Sequence, residues 1–308
     1  MQKFNYQKSN KATGKIYIGL DHGYGNIKTA HRVFQTGIEC YDEEPIVSTN
    51  YVKYRDKYYV IGESHLVYQG NKTESDDFYI LAEEMKYRGL HEADVVLAVG
   101  LPLAWVKTQA AEWRKYLMRE KELDFSFRKE RYKVHLCGLE IFPQGLAAVH
   151  NQGSMPGMNM LVDIGNGTMS ILEIHDGRPI ENSISTEVFG VHQCMEKIQK
   201  EVSKHSGVDV SEMLIEPLLR NGIGDRTDAV AMTTKRVAEN YTVEIMKKLT
   251  AHGYREELVH LFIIGGGGCL LKNFSDLTAK SEVTVITDIC ANAKGYEALA
   301  MMKQRMRG

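Results

Sequence analysis

Apolar runs along this chain alternate with glycine turns and amphipathic stretches, and one arrangement occurs twice. IYIGL at 16–20 ends in Asp21-His22-Gly23, and NMLVDIG at 159–165 ends in a second glycine turn. A further strand-like segment follows each, so strand, glycine turn and strand occur near 16–34 and again near 160–178. Residues before 16 are polar and read as a lead-in. The segment 45–62 alternates polar and apolar positions and is rich in Tyr and Val, as antiparallel strands are. Residues 63–90 predict a loosely patterned helical region and DVVLAVGLP at 94–102 a buried strand stopped by Gly100 and Pro102. An amphipathic helix over 107–121 and a strand over 131–142 follow. In the second half, helices are expected over 190–205 and 228–251, strands at 261–264 and 283–287, and a closing helix on ANAKGYEALAMMKQ. The small, flexible stretch Met155-Pro156-Gly157 marks the boundary between two α/β units of similar plan.

Composition narrows the function class. The chain has 308 residues, 43% hydrophobic and 25% charged, the balance of a globular protein long enough for two domains. No apolar run reaches the ~18 residues that a membrane span needs, and no secretory core follows the N-terminus. Five scattered cysteines without a C-x-x-C pair argue against a disulfide framework or structural zinc, and for a reducing cytoplasm. A net charge of −2, from 38 basic and 40 acidic side chains, offers no surplus for releasing counterions along a duplex. Direct DNA binding and membrane binding are therefore not expected.

Three segments carry candidate chemistry. In DHGYGNIK (21–28) a strand delivers Asp21 to a turn containing Gly23, Tyr24, Gly25 and Asn26, with Lys28 beyond it. Glycine lets backbone N–H groups approach a phosphate, a strand-end carboxylate suits hydrated Mg²⁺, and lysine adds a mobile positive charge. Taken alone this segment reads better as an ordinary hairpin, with Asp21 facing water. DIGNGT (163–168) repeats the arrangement with Asp163, Gly165, Asn166, Gly167 and a hydroxyl at Thr168. Third, LFII runs into Gly265, Gly266, Gly267 and Gly268, four residues whose ordering is entropically unfavourable and which suggest close approach of backbone to a flat ligand. No G-K-[ST] follows, so this is not a P-loop, and it does not fit a dinucleotide fingerprint.

In this order and spacing the three segments resemble those of the actin-like ATPases over about residues 16–302. Within that superfamily the chain looks most like the ParM/StbA plasmid-segregation proteins, whose closing asparagine-alanine-x-glycine helix ICANAKGYEALA resembles. The resemblance implies two ribonuclease H-like domains of the actin fold flanking a nucleotide cleft. The first spans 1–156, with a small lobe at about 44–90 and a returning helix at 290–308; the second spans 157–289. It also implies ATP, with GTP as the alternative, and Mg²⁺ held by Asp21 and Asp163 through water.

By the same resemblance 21–28 and 163–168 are the phosphate loops, Gly265–Gly268 the adenosine loop and Gly190 a glycine lying against the nucleoside. A helix bearing Lys235 and Glu239 takes the place of the ribose-contacting one, and Gln144 orients the attacking water. Asn166 stands where actin has an acidic residue, and Tyr24 replaces a small hydroxyl residue; both bear on the rate of hydrolysis. The implied function is a filament-forming ATPase that assembles with copies of itself and segregates plasmid DNA through an adaptor protein. A small-molecule kinase and a non-polymerising ATP-binding scaffold are the alternatives.

Overall fold

The computed structural model describes residues 11–306 except 24–25, 36–37, 47, 49, 62–77, 103–104, 151–152, 154 and 281. Two units are distinguished: one formed by 1–101, 105–143 and 292–308, the other by 102–104 and 144–291.

The first unit is built on one sheet. Its strands are β1 (Lys11–His22), β2 (Asn26–Thr29), β3 (Val33–Gln35), β4 (Ile38–Tyr41), β5 (Tyr51–Tyr54) and β6 (Lys57–Ile61). Helix α1 (Phe78–Tyr87) then leads to β7 (Glu92–Leu101), α2 (Val106–Leu117), β8 (Glu122–Phe127) and β9 (Glu130–Pro143). The described strands lie in the order β3-β2-β1-β7-β9-β8-β5-β6-β4. Strands β1, β7 and β9 are mutually parallel, whereas β2 returns antiparallel along β1. The apolar run 95–101 lies in β7 and is packed on both faces, as interior parallel strands are, while Asp94 before it is exposed. ELDFSF in β8 alternates instead, sending Leu123, Phe125 and Phe127 into the core.

Polar residues 11–15, expected as a lead-in, belong to β1: the backbone of Lys11 pairs with Glu92 and that of Lys15 with Asp94. Ladder hydrogen bonds need only backbone, so apolar pattern understates strand length. Of the helix expected over 63–90, α1 covers 78–87, and 63–77 lie outside the described residues.

The second unit repeats the core of this plan. Helix α3 (Leu146–His150) precedes β10 (Met158–Ile164), β11 (Met169–His175), β12 (Arg178–Pro179) and β13 (Ser185–Glu187). Helices α4 (Val191–Ser206), α5 (Glu212–Asn221) and α6 (Ala229–Ala251) are followed by β14 (His260–Ile264), α7 (Gly266–Phe274) and β15 (Val283–Val285). The sheet runs β12-β11-β10-β14-β15, with β10 antiparallel to β11 and parallel to β14. Its β11-β10-β14-β15 order matches β2-β1-β7-β9 of the first unit, a hairpin beside parallel strands. Helix α6 starts at Asp228, whose carboxylate accepts from the Ala231 amide at 3.1 Å, and α4 ends at Gly207 in the left-handed region.

Helix α5 was not foreseen, because Pro217 interrupts its pattern. Ile215, Leu218 and Leu219 nevertheless bury one face. Finally α8 (Ala291–Arg305) docks on the first unit's sheet. A Cβ on Gly19 of β1 would overlap the Ala293 carbonyl, and one on Gly100 of β7 would overlap the Tyr296 ring. Glu297 Oε2 accepts the Gly19 amide at 3.1 Å. Among the described residues no helix is long and apolar enough to cross a membrane.

Candidate functional site

In the first unit, β1 carries Asp21 to its C-terminal end, 4% exposed, directly across the ladder from Lys28 on β2. The Lys28 ammonium lies 3.3 Å from Asp21 Oδ2. Gly23 closes the turn, its amide donating to the carbonyls of Asp21 and Asn26, both at 3.1 Å. A Cβ there would stand 2.5 Å from the Asn26 carbonyl oxygen, so only glycine fits. Asn26 opens β2 and pairs with Gln35 of β3. Tyr24 and Gly25 lie outside the described residues. Carboxylate and ammonium thus sit at the mouth of a tight hairpin, an arrangement able to take a cation–phosphate pair.

In the second unit, β10 carries Asp163 to the equivalent position, one residue before its end. The Gly165 amide donates to the Thr168 carbonyl at 2.8 Å and closes the turn. Asn166 is exposed; Gly167 and Thr168 are half-buried. The first amides of α4 lock this turn from one side: Val191 N–H donates to the Gly165 carbonyl at 3.0 Å, and His192 N–H to that of Asn166 at 2.8 Å. Gly190, the N-cap of α4, is pressed against the same backbone, since a Cβ would come within 2.7 Å of the Gly165 oxygen and closer still to Asn166. Gly190 therefore abuts the Asp163–Thr168 turn itself.

The glycine run is the first turn of α7, where a loop was expected. Gly265 has φ +83°, and a Cβ on it would stand 2.5 Å from the Ile164 carbonyl oxygen and 2.8 Å from Asp163 Oδ1. Gly267 is buried, and a Cβ on it would overlap Ile164. These two glycines let α7 press on the end of β10, beside Asp163. Gly268 faces Val285 more loosely, at 3.1 Å. Gly266 alone is exposed, its nearest neighbour Val191 Cγ2 at 3.5 Å, an ordinary contact. Packing explains Gly265 and Gly267; it does not require Gly266.

Gln144 lies half-buried in the turn between β9 and α3, ahead of Gly145 at φ +85°. Lys235 and Glu239 on α6 face each other at 3.9 Å, each side chain 49% exposed. The second unit therefore brings together Asp163, Gly165–Thr168, Gly190 and Gly265, while Lys235 and Glu239 pair with each other.

Phe189, Gln193 and Tyr241 were missed. Gln193 Oε1 accepts the Gly190 amide at 2.7 Å, and the Tyr241 hydroxyl donates to the Gly190 carbonyl at 2.8 Å. Phe189 stacks on Tyr241 with ring centroids 4.4 Å apart. Lys248, over the Phe189 ring, bonds Glu187, which is held below its ordinary pKa by that lysine and by His252. In sequence Tyr241 is one more member of the apolar stripe of α6, indistinguishable from a core residue.

Among the described residues no group of three or more His, Cys, Asp and Glu could hold a metal by itself. A cavity of about 390 Å³ in the first unit lies under the β5–β6 hairpin, floored by Leu97, Leu117 and Leu136. None of the candidate residues lines it.

Residues 19–146 match the family of N-terminal domains of actin-like proteins, and residues 161–276 the C-terminal domain of the archaeal actin homologue MreB-like family. The chain belongs to the actin-like superfamily. Its architecture is the mixed α/β actin fold. Solved structures agree at low identity, which speaks for fold alone. The archaeal actin homologue Ta0583 in complex with ADP matches at 19% identity and TM-score 0.73, covering 93% of this chain and 99% of its own. Bacillus thuringiensis ParM with ATP matches at 14% and 0.68, covering 93% and 98%. A 15-stranded ParM filament from Clostridium botulinum matches at 19% and 0.69, covering 94% and 100%. No curated protein matches the actin-like chain by sequence.

Proposed function

We propose that this actin-like chain is a filament-forming ATPase that binds Mg²⁺ with ATP, or GTP in its place, hydrolyses it, and moves or positions plasmid DNA through a separate adaptor. The observation that carries this reading is the doubled hairpin: a strand-end carboxylate, a glycine-closed turn and a return strand, once in each unit. The solved relatives include proteins with ADP or ATP bound and a ParM filament.

The turns 21–28 and 163–168 are the phosphate loops, including Tyr24 and Gly25. Lys28, now on Asp21, supplies positive charge for phosphate oxygens. One carboxylate per hairpin suits Mg²⁺, which keeps several waters and takes few protein ligands; it would neutralise phosphate charge. The fit rests on Asp163, bordered so closely by Gly265 that a side chain there would crowd its carboxylate. Gln144 orients the attacking water, since its amide donates and accepts without being a strong base. The exposed Gly266 lets the backbone of α7 approach the nucleoside, with Lys235 and Glu239 toward the ribose. A net charge of −2 leaves the DNA contact to a basic partner.

Sedimentation with ATP, ADP or no nucleotide, followed by electron microscopy of the pellet, tests the reading. Filaments are expected with ATP and few with ADP. A chain that stays in the supernatant under every condition overturns it.

A further inference from the structure

We infer that Tyr241 is a positioning residue for the phosphate turn Asp163–Thr168, acting through the Gly190–Val191 peptide. The inference rests on the nucleotide reading above, but its geometry stands within the second unit alone. In a trans peptide C=O and N–H point to opposite sides of the chain, and no described peptide is cis. The Gly190–Val191 peptide is held at both ends. Its oxygen accepts from the Tyr241 hydroxyl at 2.8 Å, and its N–H donates to the Gly165 carbonyl at 3.0 Å.

The same rule carries one step further. With the Gly165 oxygen turned to α4, the Asn166 N–H of that peptide turns away from α4. With the Asn166 oxygen bound by His192 N–H, the Gly167 N–H turns away as well. Two successive amides thus face the side opposite α4, where backbone N–H groups in a turn form an anion-binding concavity. Hydroxyl, peptide and turn form one chain of hydrogen bonds, each polarising the next, ending on those amides.

Tyr241 is built to hold its end still. It is 1% exposed, and Phe189 stacks on it at 7°. Burial pushes its phenol pKa up, so it stays a donor. Gly190 must lack a side chain for the relay to reach the turn at all.

Tyr241→Phe removes only the hydroxyl and keeps the stacked ring. Thr242→Val is the control: it deletes another buried hydroxyl of α6, one that bonds main-chain carbonyls, Glu239 at 2.7 Å within the helix and Phe274 at 3.1 Å, and leaves the Glu239 side chain in place. Affinities for ADP and for adenosine are read by displacement of a fluorescent ADP analogue, and exchange at the Val191 and His192 amides by NMR. Tyr241→Phe is expected to weaken ADP roughly five- to tenfold, the value of one buried hydrogen bond, and to change adenosine less than about twofold. Exchange at both amides should quicken, and Thr242→Val should change neither readout. An equal loss for ADP and adenosine, no loss for ADP, or the same loss in Thr242→Val overturns the inference. A wild-type chain that binds no nucleotide sinks the function proposed above, and is distinguished by exchange rates that still respond to Tyr241→Phe.

Discussion

Thr29 donates its hydroxyl to Glu84 Oε2 at 2.7 Å, joining the end of the first hairpin to a fully buried carboxylate of α1. The other Glu84 oxygen meets Arg88 Nε and His31 Nδ1, each at 2.7 Å, and Arg88 continues to Glu297 of α8 at 2.9 Å. Burial pushes the Glu84 carboxyl up, but Thr29, Arg88 and His31 together hold it below its ordinary value of 4.5. One ionised side chain therefore ties the hairpin of Asp21 and Lys28 to two helices of the same unit.

Glu84→Gln should destabilise the first unit on the order of 3 kcal/mol, because it leaves Arg88 partly uncompensated in a buried setting. The pH dependence has a definite sign. A carboxyl whose folded pKa lies below its unfolded value adds stability that is complete above the unfolded value and is lost as pH falls through the folded one. The gap between wild type and Glu84→Gln should thus narrow below pH 4.5. Urea denaturation at several pH values reads it; a gap that widens toward acid contradicts the network.

The glycine run separates packing from binding. Gly267→Ala drives a Cβ into Ile164 and should lower stability by roughly 1–3 kcal/mol, the usual range for overpacking. Gly266→Ala meets only Val191 at 3.5 Å and should leave stability unchanged or slightly raised. If the α7 backbone approaches a nucleoside, Gly266→Ala weakens nucleotide binding without loss of melting temperature. Full affinity in that variant would return the whole run to packing.

Asp163→Ala should weaken binding of Mg²⁺ with ATP and abolish turnover, with ADP binding in EDTA much less affected, since the proposed role is toward the cation. Calorimetry with and without Mg²⁺ makes the comparison. Asp21→Ala should behave alike and also remove the Asp21–Lys28 ion pair. Wild-type turnover in Asp163→Ala removes that residue from the site.

Gln144→Ala should leave nucleotide affinity nearly unchanged and slow phosphate release by about 10²-fold or more, as loss of water positioning does. Filaments of this variant should persist longer than those of the wild type. A normal rate of phosphate release would falsify the assignment.

Much of this architecture was legible in the chain. Apolar runs closed by glycine identified β1, β7, β10 and β14, because strands packed on both faces must be apolar throughout. The stripes of α4 and α6 were readable for the same reason, burial of one face at helical period. Helix α5 was hidden by Pro217, and the polar start of β1 by the indifference of ladder hydrogen bonds to side chains. Both hairpins could be named from sequence, since a strand-end carboxylate and a turn glycine are local features.

What the sequence by itself determined was therefore local: which segments pair, where they turn, and which carboxylates end a strand. Only the tertiary structure decided that Gly265 and Gly267 serve the seat of α7 on β10, that Gly190 lies against the Asn166 backbone, and that Tyr241 reaches the Gly190 carbonyl 51 positions away. The reason is physical. A glycine in sequence shows that something comes close without showing what, and a buried tyrosine shows apolar surface without showing where its hydroxyl points. Both answers depend on packing between elements distant in the chain, which no local pattern encodes.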